Sequence, residues 1–127
     1  MKRKKIVAGN WKMNMTMDES VKLIAELELI SENNIEIKIA PAYTNLYKSR
    51  SLLMSSQIEV IAQNIHQEKN GAYTGEVSAE MLKSIGIKTV IIGHSERRQY
   101  FNETDIILSK KVKTALEHSL NVILCVG

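Results

Sequence analysis

Five short runs of apolar, mostly β-branched residues recur along the chain, and each is separated from the next by a stretch with helical spacing. The runs are Lys5 to Trp11, Ile35 to Ala40, Ile58 to Gln63, Thr89 to Gly93 and Asn121 to Val126. Near-continuous apolar character suits strands covered on both faces, as in a parallel sheet. Between them, Thr16 and Glu19 have the spacing of a capping box and predict a helix from about Met17. Leu23, Ile24, Leu27 and Ile30 then share one face. Thr44 or Asn45 can cap a second helix running to about Met54, and Ser78 a third. That third helix turns Met81, Leu82 and Ile85 inward, with Gly86 as its stop. Leu108, Val112, Ala115 and Leu116 mark a fourth.

Strand and helix therefore alternate with a repeat of roughly 25–30 residues, the size of a βα unit. Parallel strands joined through helices make right-handed crossovers. An open doubly wound sheet and part of a (β/α)8 barrel both satisfy this pattern. No Gly-x-Gly-x-x-Gly and no Gly-x-x-x-x-Gly-Lys follows a strand, so the usual nucleotide-binding signatures are missing. Polar residues instead sit just past the strand ends: Asn10 and Lys12, Gln63 and Asn64, and His94 to Arg98. Ligands bind at that edge in both architectures. A full barrel takes about 250 residues, so residues 1–127 cover about half of one. They are expected to form a single α/β domain, with about five parallel strands and four helices.

Composition narrows the class of function. The net charge is only +3, from 17 basic and 14 acidic residues. The lysines are scattered and lack interleaved aromatics, so no nucleic-acid partner is expected. Met1 to Lys5 is basic, but the apolar run after it is Ile6-Val7-Ala8, far short of the roughly 7–15 residues of a signal-peptide core. No stretch approaches the ~20 apolar residues of a membrane span. The lone Cys125 cannot form an intramolecular disulfide and suits a reducing compartment, so a cytoplasmic location is expected.

Lys12, closing Gly9-Asn10-Trp11-Lys12, would bring a point charge suited to a phosphate or a developing enolate. Taken alone, it reads first as one more surface lysine in a lysine-rich chain. His94 opens Gly93-His94-Ser95-Glu96-Arg97-Arg98. Ser95 can cap a short helix there, and a helix N-terminus disfavours imidazolium, so His94 is expected to be neutral and a hydrogen-bond donor. A capped turn with a solvated charge cluster accounts for the same residues, but their place at a strand's C-terminal end favours function. Gly71 to Ser78 reads as a turn whose two glycines permit a tight protrusion. His66 and His118 have no partner set for zinc, and no metal is expected. Cys125 reads as a small buried hydrophobe. Tyr43 and Tyr47, at helical spacing, read as packing residues.

Ala8-Gly9-Asn10-Trp11-Lys12-Met13-Asn14 resembles the first-strand motif of triosephosphate isomerases. Ala62-Gln63-Asn64, Gly71 to Ser78, Ile92 to Arg98 and Ile123 to Gly127 are similar to segments of that family in the same order. The resemblance covers the whole chain. It implies a TIM barrel, of which this is the N-terminal half, and interconversion of glyceraldehyde 3-phosphate and dihydroxyacetone phosphate through an enediolate. It implies no cofactor. Carried over, Asn10 and Lys12 bind substrate, and Lys12 neutralises the enediolate. His94 is the neutral electrophile, supported by Ser95 and Glu96. Thr74 sits at the tip of a loop that inserts into the neighbouring subunit of a homodimer.

The family's glutamate base, its lid and its phosphate-binding loops lie beyond residue 127. The resemblance therefore implies an isomerase fragment, inactive alone and completed by a C-terminal half. A second reading is a non-enzymatic half-barrel that self-associates or binds a phosphate ligand or a protein.

Overall fold

The structure, a computed structural model, describes residues 2–127, and the chain divides into two compact units, residues 1–61 and 62–127. In the first unit, strands β1 (Lys5–Asn10), β2 (Ile35–Ala40) and β3 (Ile58–Val60) pair in the order β1-β2-β3, all parallel. Val7 faces Ile37 and Asn10 faces Ala40 in that register. Helices α1 (Met17–Leu27) and α2 (Tyr43–Leu52) make the crossovers.

The capping box forms as the spacing predicts. The Thr16 hydroxyl accepts from the Glu19 N–H, and the Glu19 carboxylate accepts from the Thr16 N–H. With α1 ending at Leu27, Ile30 lies beyond the helix and stays 41% exposed. The second helix differs from expectation at its start. Its N-cap is Ala42, with no side-chain cap, and neither Thr44 nor Asn45 serves. Asn45 is instead buried, and its Nδ2 donates to the Met15 carbonyl at 2.8 Å and to Ser20 Oγ at 3.0 Å. The buried positions of α2 are Asn45, Leu46 and Ser49, which leaves Tyr47 67% exposed rather than packed.

The second strand is not apolar on both faces. Successive side chains of a strand alternate sides. Ile35, Ile37 and Ile39 line a cleft with Leu23 and Leu27 of α1, while Glu36 and Lys38 join an ion ladder. Lys38 Nζ lies 2.9 Å from Glu59 and 3.2 Å from Glu36, and Lys4 reaches Glu36 at 3.1 Å. Burial pulls the Lys38 ammonium toward its neutral form, but its bonds to Glu59 and Glu36 outweigh this and raise its pKa.

In the second unit, Ala62 makes a parallel bridge to Val90, and strands β4 (Thr89–Ile92) and β5 (Asn121–Leu124) pair in parallel. Helix α3 (Ala79–Ser84) is capped by the Ser78 hydroxyl, and Gly86, at φ +83°, ends it in the left-handed conformation that glycine adopts without strain. There are five helices among the described residues: the four βα helices, and the short helix expected at Ser95, α4 (Ser95–Tyr100), which precedes α5 (Asp105–Glu117).

The inward stripe of α5 runs through Leu108, Lys111 and Ala115, so Leu116, one position off it, is 60% exposed. A lysine occupies the position that hydrophobic periodicity gives to an apolar residue. In α3 the buried pair is Ala79 and Leu82, and Met81 points outward, 56% exposed. No helix among the described residues is long and apolar enough to cross a membrane.

Candidate active site

The residues singled out from sequence fall in three turns. The first follows β1. The Asn10 side chain accepts the Lys12 N–H at 2.9 Å, and Asn14 Nδ2 donates to the Trp11 carbonyl at 2.9 Å. Lys12 has φ +56° and Met15 φ +76°, both left-handed without being glycine. Such conformations cost about 1–3 kcal/mol and persist where the surroundings impose them. Here the Asn10 side-chain oxygen holds one end and the buried Asn45 grips the Met15 carbonyl at the other. Asn10 and Lys12 are thus brought together, and nothing in the sequence pattern foretells the strain.

The second turn follows β4, and it corrects the expected cap. His94, at φ −52° and ψ 141°, is itself the N-cap of α4, and Ser95 is already the first helical residue. The imidazole Nδ1 replaces a hydroxyl as the capping acceptor, taking the Glu96 N–H at 3.2 Å. A nitrogen that accepts carries no proton, so in this geometry the ring proton is on Nε2. The Glu96 carboxylate lies 3.6 Å from the same Nδ1. His94, Ser95 and Glu96 are therefore brought together as expected, with the roles of cap and first helical residue exchanged. His94 and Ser95 line an open cleft of about 740 Å³ with Arg98, Cys125 and Gly127.

The third turn carries Thr74, exposed in a loop with Gly71 at φ +130° and Gly75 at φ +91°. The base of this loop is closed by His66. Its ring packs on Tyr73 at 4.5 Å, and its Nδ1 meets the Glu76 carboxylate at 3.2 Å. His118 Nδ1 meets the Thr114 carbonyl within α5, at 2.8 Å. No group of three or more His, Cys, Asp or Glu residues that could hold a metal occurs among the described residues.

Sequence reasoning misses a buried charge cluster beneath α4. Lys111 Nζ donates to the Glu103 carboxylate and, at 2.9 Å, to Asn64 Oδ1; Arg97 Nε donates to the same carboxylate oxygen at 3.1 Å. Burial raises the Glu103 pKa, but two cations share this one carboxylate and their bonds win, so it lies below the usual range. For Lys111 burial also acts first and lowers its pKa; Glu103 opposes this, but Arg97 adds repulsion, and the result stays below the usual ammonium range. The only signal for this cluster is Lys111 interrupting an apolar stripe. Cys125 is half-buried, and burial pushes its thiol pKa up against the opposing charge of Arg98.

The arrangement can do two things chemically. The Lys12 turn offers a cation on a strained, fixed backbone, and the His94 turn offers an N–H donor of set tautomer. A family model described as triosephosphate isomerase matches residues 5–127. The chain belongs to the triosephosphate isomerase family. It is 56% identical over 127 residues to the triosephosphate isomerase of Flavobacterium psychrophilum, with 98% of this chain and 51% of that one aligned. It is 50% identical over 126 residues to the Clostridium beijerinckii enzyme and 52% identical over 126 residues to that of Alkaliphilus metalliredigens. In each case 98% of this chain and 51% of the relative are covered. The chain thus spans about half the length of the curated relatives it matches. Its α/β order of parallel strands and helices is the expected part of the family's barrel fold.

Proposed function

We propose that residues 1–127 supply the electrophilic part of a triosephosphate isomerase active site, within the N-terminal half of a single barrel domain. The observation that carries the reading is the His94 hydrogen bond: Nδ1 accepts from the Glu96 N–H, which leaves Nε2–H as a donor. A neutral imidazole in that tautomer can polarise a substrate carbonyl and exchange a proton between the two oxygens of an enediolate. In triosephosphate isomerases a histidine is kept neutral by a helix N-terminus, so this role for His94 is the family's own. Lys12 would neutralise the developing negative charge, with Asn10 holding its backbone and contacting substrate. Ser95 and Glu96 set the turn. Removal of the α-carbon proton needs a base, and none is assigned among these residues. The substrate is a triose phosphate, the location cytoplasmic, and Thr74 meets a second subunit in the assembled enzyme.

An assay with glyceraldehyde 3-phosphate tests this. The chain alone is expected to show no turnover above background. Mixed with the C-terminal half of the Flavobacterium psychrophilum relative, it should turn over, and His94→Gln should lower that rate by about 10²–10⁴-fold. Turnover by the chain alone, abolished by His94→Gln, would place the base within residues 1–127 and overturn the fragment reading.

A second reading is favoured by one feature, the exposed edge of the first sheet. Ile6 and Val7 on β1 are 50% and 58% exposed, and an apolar edge strand is a template for association. On this reading the chain is a non-enzymatic half-barrel that self-associates. Sedimentation of the purified chain separates the two: a stable oligomer that ignores the added C-terminal half favours the second.

A further inference from the structure

Helix α4 buries none of its side chains. A six-residue helix without a buried face has too few hydrogen bonds and too little apolar contact to fix its own position. Something polar must hold it, because His94 is its N-cap and moves with it.

Besides Arg97 on Glu103, the helix is held by three bonds from Arg98. Its Nε donates to the Gly93 carbonyl at 3.0 Å, its Nη2 to the Cys125 carbonyl at 2.9 Å, and its Nη1 to Asp105 Oδ1 at 2.9 Å. Two of those acceptors are backbone groups at the C-terminal ends of β4 and β5. The third, Asp105, has a side chain that is 95% exposed, where an ion pair contributes little. Gly93 stands immediately before His94 at φ +77°. Without a Cβ its peptide plane can rotate at little steric cost, so an outside donor is needed to fix its carbonyl. The glycine also makes room for the clamp: a Cβ there would fall 3.1 Å from Arg98 Nη2 and 3.2 Å from Leu108 Cδ1.

We propose that Arg98 is a positioning residue for His94: by pinning the Gly93 and Cys125 carbonyls it sets the start of α4, and with it the tautomer and aim of the imidazole. This rests on reading His94 as the electrophile. A lysine presents all its donors from one nitrogen and cannot reproduce the fork by which the guanidinium Nε and Nη2 reach two separate carbonyls.

The test reads the ring nitrogens of His94 in the ¹⁵N-labelled chain by long-range ¹H–¹⁵N correlation, with His94→Gln identifying its signals. The wild-type chain should show a single tautomer protonated at Nε2. Arg98→Gln should lose that single signature and show both tautomers, with the amide signals of β4 and α5 retained. Arg98→Lys should recover part of it, and Asp105→Asn should leave it intact. An unchanged tautomer in a folded Arg98→Gln chain would overturn the positioning role alone. A wild-type ring protonated at Nδ1 would sink the reading of the site itself, and the proposal with it. General unfolding of both Arg98 variants would assign Arg98 to the fold as a whole and likewise overturn the proposal. An effect of Asp105→Asn equal to that of Arg98→Gln would place the anchor in the exposed ion pair and overturn the carbonyl clamp.

Discussion

The Lys12 turn and the His94 turn each follow a parallel strand and each present one polar side chain, but they are held by different forces. Around Lys12 the grip comes from neutral amides: Asn10, Asn14 and the buried Asn45. Around His94 it comes from charge: Arg98 on two carbonyls, and Arg97 on the buried Glu103–Lys111 pair. The first turn stores backbone strain and the second stores desolvated charge. Amide bonds are insensitive to pH, whereas a buried ion cluster is tied to it. The two turns are therefore expected to fail under different conditions.

The sharpest break of the comparison is Glu103→Gln. It leaves Lys111 and Arg97 without their shared carboxylate, and removing one partner of a buried pair costs about 3–5 kcal/mol. Amide exchange should show β4 and α5 losing protection by that amount while the amides of β1 and β2 keep theirs. Equal losses in both regions would show that the charge cluster serves the whole chain.

Acid should produce a weaker form of the same asymmetry. The folded Glu103 carboxyl lies below its ordinary value of 4.5. Between the folded value and 4.5 the unfolded chain binds more protons, so this contribution is complete above that window and is lost as pH falls through the folded value. Protection of β4 and α5 is expected to decline through that acid window, and to decline less in Glu103→Gln. A decline of the same size in the variant would assign acid sensitivity to other carboxylates.

Asn45→Ala comes next in size. It removes two bonds made by a buried amide and leaves the Met15 carbonyl and Ser20 hydroxyl short of a donor, a cost of about 1–3 kcal/mol. Exchange should quicken at the start of α1 and leave α4 untouched.

The fold is more legible in the sequence than the attachments that hold its turns. Strand positions follow from β-branched runs, and the start of α1 from Thr16 and Glu19, because those signals are local. What escapes are pairings distant in sequence. Asn45 reads as a cap because its amide is a good one, but its partners are Met15 and Ser20, up to 30 residues away. Lys111 falls on the stripe of Leu108 and Ala115, but nothing local names its partners Asn64 and Glu103. The capping role slips by one residue because a histidine ring is an uncommon capping acceptor beside a serine. The motif residues of the site, Asn10, Lys12 and His94, come from resemblance. Of their physical supports, Arg98 lies inside a quoted motif without a stated role, and Glu103 and Asn45 have no such signal.

The smallest expected effect has the opposite sign. A residue with a Cβ in the left-handed region costs roughly 1–2 kcal/mol. Replacing Lys12 by glycine relieves that strain but adds about 0.5–1 kcal/mol of backbone entropy to the unfolded chain. These two backbone terms alone net to about 0.5–1 kcal/mol in favour of glycine, obtained by deleting the ammonium that the proposed chemistry needs. Lys12→Ala removes the same ammonium and keeps the strain, so the difference between the two variants isolates the backbone term. Amide exchange around residues 10–16 reads it, with Lys12→Gly expected to be better protected than Lys12→Ala. Asn10→Ala should move the other way, since it leaves the Lys12 N–H without its 2.9 Å acceptor while the strain persists. Equal protection in the glycine and alanine variants would mean that the turn prefers its left-handed geometry unaided. The contrast with the charge-held His94 turn would then lose its basis in strain.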